Sequence, residues 1–185
     1  MSDFTLILGG ARSGKSRLAE ARVLGLRSPH APVYIATAQA FDDEMVARIA
    51  AHQSQRAGAG WNTVEAPLAL AEALHMAPAA APVLIDCLTL WLSNHLLAGS
   101  DLPAEGARLS DAIAARQAPV MAVANEVGLG IVPDNALARR FRDAAGQLNQ
   151  RLAAQAGRVI LVTAGLPLAL KGSLEAGVSR DGSDG

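Results

Sequence analysis

Five short apolar runs punctuate the chain: "FTLIL" from Phe4, "VYIAT" from Val33, "VLIDC" from Val83, "PVMAVAN" from Pro119 and "RVILVTAG" from Arg158. Such runs, rich in β-branched residues, read as strands buried on both faces. Between them "DDEMVARIAAHQSQR", "PLALAEALHM", "LTLWLSNHLLA", "PAEGARLSDAIAARQ" and "NALARRFRDAAGQLNQRLAAQAG" carry apolar residues at helical spacing. Strand–helix alternation predicts an α/β fold of three layers, with helices on the faces of a mainly parallel central sheet. "WNTVEAP" is a candidate for a further short strand. Asp42 or Asp43 is expected to cap the first helix after the second strand, and Asp134 the long last one, just after Pro133.

The first strand runs straight into "LILGGARSGKSRLAEA". Gly9, Gly14, Lys15 and Ser16 match GxxxxGK(S/T), the P-loop, and the flanks are a buried strand and a helix expected over Ser16 to Leu26. Glycines let the backbone turn its N–H groups inward at a helix N-terminus, where the dipole favours phosphate. Lys15 would reach the terminal phosphates of a nucleoside triphosphate and the Ser16 hydroxyl would ligate Mg²⁺. The alternative is a plain glycine-rich turn with an exposed lysine.

A length of 185 residues, 51% hydrophobic and 18% charged, suits one globular domain with a full core. The formal net charge of -1 gives no footprint for a nucleic acid or an anionic membrane, and leaves nucleotide-sized ligands open. Cys87 is the single cysteine, which rules out an intrachain disulfide and a cysteine-rich metal site. "MSDFTLILGG" lacks a basic n-region, and no apolar stretch reaches bilayer-spanning length. A cytoplasmic protein with no membrane span is expected. There is no internal repeat and no interior linker, and "APAAAP" at 77–82 reads as a connection. The domain is expected over 1–171, and the polar, glycine-rich 172–185 as a disordered tail.

Three further features carry chemistry and a bland reading side by side. Asp86 ends the "VLIDC" strand, where ligands of open α/β sheets bind, so it is a candidate for metal or nucleotide contact; it is equally placed to cap the helix from Leu88. "NEVGLGIVPDN" puts Asn125 and Glu126 at the same sheet edge, either facing the crevice or in a simple connection. The apolar Val127, Leu129, Ile131 and Val132 there hint at a subunit contact or a partly apolar substrate. Glu44, Arg48, His52 and Arg56 recur every four residues, which is the pattern of a solvated helix face. The same pattern holds an imidazole between two arginines, which keeps it neutral and nucleophilic beside phosphates. Cys87 reads as a small buried hydrophobe.

In order along the chain, "GGARSGKS", "YIAT", "DDEMVARIAAHQSQR", "WNTVEAP", "LIDCLTLWLSN", "NEVGLGIVP", "RRFRDAAGQLNQRLA" and "AGLPLALK" closely resemble the bifunctional adenosylcobinamide kinase/adenosylcobinamide-phosphate guanylyltransferase family of cobalamin biosynthesis. The resemblance spans about Phe4 to Lys171. It implies a P-loop NTPase fold of RecA-like type and two reactions. In one, an NTP such as ATP or GTP phosphorylates adenosylcobinamide. In the other, GTP transfers GMP to an enzyme histidine, and the cobinamide phosphate takes it up as adenosylcobinamide-GDP. By motif match the histidine is His52, with Lys15 as the second catalytic residue. Nucleotide contacts map to Gly9, Gly10, Ala11, Arg12, Ser13, Gly14, Lys15 and Ser16, to Ala36, Thr37 and Ala38, to Gln53, Ser54, Gln55 and Arg56, and to Glu65 and Asp86. Mg²⁺ is implied on Ser16 and Asp86, and Glu65 is the expected reader of guanine. A homo-oligomer, a trimer by family resemblance, is also implied. Asp86 stands where some relatives carry glutamate, and Gly60 lengthens the turn before Trp61. Rival readings are a P-loop kinase of another small molecule, with His52 structural, and a nucleotide-dependent switch protein.

Overall fold

The computed structural model describes residues 3–39 and 58–174. Among them the strands are β1 (Phe4–Gly9), β2 (Val33–Ala36), β3 (Asn62–Glu65), β4 (Val83–Asp86), β5 (Val120–Asn125), β6 (Arg158–Thr163) and β7 (Leu166–Lys171). The helices are α1 (Lys15–Leu24), α2 (Leu70–Met76), α3 (Leu88–Leu97), α4 (Leu102–Ala114) and α5 (Ala136–Gln155). The strands form one sheet in the order β3-β2-β4-β5-β1-β6-β7. All neighbours are parallel except β6 and β7, which form an antiparallel hairpin.

β1 lies between β5 and β6 and is buried along its length, which is why its sequence is a continuous apolar run. Its side chains still alternate between the two faces. Phe4, Leu6 and Leu8 join the core under α2, α3, α4 and α5, whereas Ile7 joins the core on the opposite face, with Ala19 and Val23 of α1. The parallel register brings the C-terminal ends of the strands to one edge: Gly9 pairs with Asn125, and Ala36 with both Glu65 and Asp86.

Several local expectations change. Asp134 does not cap the long helix; Asn135 does, its side chain accepting from Ala138 N at 2.7 Å. With Asn135 in the extended conformation, its Oδ1 reaches the orphan N–H three residues on, and Asp134 falls one position outside the helix. Asp86 is not the cap of α3 either, since that position belongs to Cys87, with no side-chain cap bond. Asp101 caps α4 by accepting from Ala104 N at 3.1 Å. "WNTVEAP" does supply the edge strand β3. The run read as one strand through Gly165 ends at Thr163, where Ala164 and Gly165 take positive φ of 53° and 78° and turn the chain back into β7. Asp42, Asp43 and the Glu44, Arg48, His52, Arg56 stripe lie outside the described residues, as does the tail from residue 175.

Candidate nucleotide site

The loop between β1 and α1 is held from three sides. Gly9 has no room for a side chain, because an added Cβ would sit 2.6 Å from both Ser13 Oγ and Val162 O. Gly14 caps α1 with φ of 94°, a conformation that costs a non-glycine residue steric strain. Ser13 N donates to Gly10 O at 3.3 Å, and from outside the loop Gly165 N donates to Ser13 O at 3.0 Å. The β6–β7 turn therefore braces the loop.

Lys15 is buried and its Nζ donates to Gly10 O at 3.1 Å. It has no ion pair among the described residues. A buried ammonium at a helix N-terminus, bonded among the described residues only to a carbonyl, is a favourable setting for an anion. Ser16 follows it on the first turn of α1 and is partly exposed.

Asp86 is partly buried at the end of β4, and its Oδ2 accepts a hydrogen bond from the Tyr34 hydroxyl at 2.7 Å. Tyr34 itself packs edge-on against Trp61 at 5.5 Å between ring centroids. Sequence reasoning missed this aromatic support, since Tyr34 on β2, Trp61 just before β3 and Asp86 at the end of β4 are far apart in the chain. The next residue, Cys87, is buried; desolvation, with the neighbouring Asp86 charge, pushes its thiol up to about 11. It stays protonated at neutral pH, as a core hydrophobe would.

Thr37 is fully buried and its hydroxyl is committed: it donates to Cys87 O at 2.7 Å and accepts from Cys87 N at 2.9 Å. Asn94 Nδ2 adds bonds to Thr37 O and Pro67 O, each 2.9 Å. The Thr37 side chain thus ties the ends of β2 and β4 together, while Ala36 and Ala38 remain partly exposed at the edge. Glu65 is exposed at the end of β3, in register with Ala36. Glu126 turns its carboxylate back on its own loop, accepting from Gly128 N at 2.6 Å, and its N–H donates to Gly9 O at 3.2 Å. It braces the loop after β5.

The P-loop, Ala36, Ala38, Glu65 and Asp86 therefore share one edge of the sheet. Gln53, Ser54, Gln55, Arg56 and His52 lie outside the described residues. Among the described residues no three His, Cys, Asp or Glu side chains converge as a metal cage. A separate groove of about 1000 Å³ between α3, α4 and α5, lined by Leu92, Gly106, Arg140 and Gln147, shares no residue with the P-loop. No helix among the described residues is long and apolar enough to cross a membrane.

In overall architecture the chain resembles the flagellar accessory protein FlaH from Methanocaldococcus jannaschii, with a TM-score of 0.51 at 13% identity over 92% of this chain and 78% of that one. It likewise resembles an ATPase from the type III secretion system of pathogenic bacteria, with a TM-score of 0.53 at 15% identity over 86% of this chain and 51% of that one. At such identities the likeness speaks for the P-loop NTPase fold alone. In sequence the chain is 50% identical to the bifunctional adenosylcobalamin biosynthesis protein CobP of Pseudomonas aeruginosa, over 90% of this chain and 96% of the relative. It is 44% identical to the bifunctional adenosylcobalamin biosynthesis protein CobU of Escherichia coli, over 90% and 98%. The model of the cobinamide kinase / cobinamide phosphate guanyltransferase family matches residues 5–170. With the family's motifs on the P-loop edge and the match running through nearly the whole sheet, the chain belongs to the cobinamide kinase / cobinamide phosphate guanyltransferase family.

Proposed function

We propose that this chain performs both reactions for which its family is named, at one P-loop, and that the second runs through a GMP adduct on His52. The observation that carries the shared loop is the buried Lys15 ammonium, whose hydrogen bond among the described residues is to a loop carbonyl. In the kinase step the hydroxyl of the cobinamide aminopropanol arm attacks the γ-phosphorus of ATP or GTP. The bond to the β–γ bridging oxygen breaks with its electron pair leaving on the nucleoside diphosphate, and the hydroxyl proton passes to solvent. In the guanylyl step a neutral His52 ring nitrogen attacks the α-phosphorus of GTP, pyrophosphate departs, and a phosphate oxygen of cobinamide phosphate then displaces the histidine. A loop that grips the β and γ phosphates serves both, holding the donor in one reaction and the leaving group in the other.

The donor set fits Mg²⁺, which the Ser16 hydroxyl at the helix start and the Asp86 carboxylate, one oxygen of which accepts from Tyr34, would hold. When bound, the ion supplies charge neutralisation between the phosphates. The exposure of Glu65 at the same edge supports the reading that it accepts from guanine N–H groups. The exposed apolar loop after β5 supports a homotrimer, and the absence of a membrane-spanning helix among the described residues is compatible with a cytoplasmic enzyme.

The covalent step has a direct test. With GTP labelled at the α-phosphate, wild-type protein retains label after denaturation and His52→Ala does not. The label is lost in acid and persists in alkali, as a phosphoramidate should. Labelled His52→Ala protein, or acid-stable label, refutes the assignment.

A further inference from the structure

We propose that Arg12 is a catalytic residue of phosphoryl transfer, a guanidinium supplied from within the P-loop to the charge that develops on the terminal phosphates. Arg12 holds φ of 55° in the left-handed region. The only other described non-glycine residue there is Ala164, which, with Gly165, forms the tight β6–β7 turn. Glycine removes that strain, and the same loop uses it at Gly14, with φ of 94°.

The strained arginine is therefore not required by the backbone. Its conformation is imposed by the loop's own bracing, through Ser13 N to Gly10 O on one side and Gly165 N to Ser13 O on the other. Nor does folding use the side chain: Arg12 is exposed and makes no hydrogen bond or ion pair among the described residues. Arg22, Arg108, Arg116, Arg139, Arg142 and Arg158 each bond to protein oxygens, whereas Arg17, Arg27, Arg140 and Arg151 are exposed without such a bond, so what sets Arg12 apart is its left-handed backbone within the phosphate loop. A guanidinium on a phosphate-binding loop, without a partner among the described residues, is suited to bidentate pairing with phosphate oxygens.

Lys15 is anchored beneath the loop and supplies a single positive charge. During γ-transfer negative charge shifts onto the β–γ bridging oxygen as its bond to phosphorus breaks, and a second cation on the open side meets that charge.

The inference rests on the loop being the site of γ-transfer, and the test separates the two. Steady-state phosphorylation of cobinamide is measured for the wild type, Arg12→Lys and Arg12→Gly, with and without millimolar guanidinium. Arg12→Gly relaxes the backbone, so misfolding is not expected; thermal melting checks this. The expected result is a fall in kcat of about a hundredfold or more for Arg12→Gly, with nucleotide KM changed by only a few fold. Arg12→Lys should be intermediate, and guanidinium should raise Arg12→Gly but not the wild type. An Arg12→Gly enzyme at wild-type kcat, a loss confined to KM, or a loss that guanidinium leaves untouched overturns the proposal. If the wild type does not phosphorylate cobinamide, the substrate reading has failed, and the same comparison on slow hydrolysis of the γ-phosphate by water still decides the role of Arg12.

Discussion

Lys15 and Cys87 lie within electrostatic reach of each other, and their surroundings set opposite fates. Lys15 is buried but has a phosphate nest above it, so its charge is kept for a ligand. Replacing it by alanine should slow phosphorylation and guanylylation alike, each by about a hundredfold from the loss of one preorganised charge contact. Guanylylation that stays at wild-type speed while phosphorylation collapses would mean two separate sites. Cys87 is buried against Asp86 with no compensating cation close enough to win, and its thiol rises from 9.0 to about 11. Because the folded value is the raised one, the folded state binds this proton more tightly than the unfolded state. The associated stability is complete below the unfolded value of about 9 and is lost as pH climbs through about 11. Over that window it amounts to at most about 2–3 kcal/mol. Urea unfolding of the wild type should weaken more steeply over that interval than that of Cys87→Ala, and parallel pH dependences would refute this.

At the scale of elements, the ends decide more than the middles. Helix α5 begins at Asn135 and not at Asp134 because only one residue can have both the extended backbone and the reach to Ala138 N. Asn135→Ala should therefore cost about 1 kcal/mol in denaturant unfolding, and Asp134→Ala almost nothing; equal losses would show that the cap is shared. The hairpin β6–β7 has a comparable role at the other side of the site. Its apolar sequence carried no hint that it would stop at Thr163, turn on Ala164 and Gly165, and press an N–H onto the P-loop. Arg116, just after α4, gathers four carbonyls, of Leu74, Ala77, Pro78 and Ala81, and so locks the connection from α2 to β4 that read only as an alanine-rich link.

For the whole molecule, the division of labour follows the sheet. One face is covered by α2, α3, α4 and α5, the strand ends carry the proposed nucleotide site, and the loop after β5 leaves Leu129, Ile131 and Val132 at 87%, 97% and 63% exposure. The edge strand β7 exposes Leu166, Leu168 and Leu170 as well. Exposed leucines and isoleucines in continuous groups favour association, and an uncovered edge strand invites a partner. The proposed trimer should sediment as such, and Ile131→Asp should shift it toward monomer; a wild-type monomer at assay concentration would remove the oligomer from the proposal.

Strands β1 to β6, helices α1 to α5 and the P-loop were legible in the sequence because each rests on local physics, whereas β7 was not read as a strand. A strand buried on both faces must be apolar throughout, a helix must repeat its apolar face every three to four residues, and a phosphate nest must spend glycines at fixed spacing. The resemblance to the family rests on the motifs from "GGARSGKS" through "AGLPLALK", and the match over residues 5–170 agrees with it. What the sequence left open involved partners distant along the chain. Asp86 could as well have been a helix cap as a site carboxylate, and only the pairing of β2 with β4 brought the Tyr34 hydroxyl to its Oδ2. Thr37 matched a nucleotide-contact motif, yet the fold spends its hydroxyl on Cys87. The brace of Gly165 on Ser13 joins residues about 150 positions apart, at a separation where hydrophobic period and turn propensity carry no information. Local chemistry is written in neighbouring residues, whereas the choice among a side chain's possible partners is made only when the sheet sets its strand order and register.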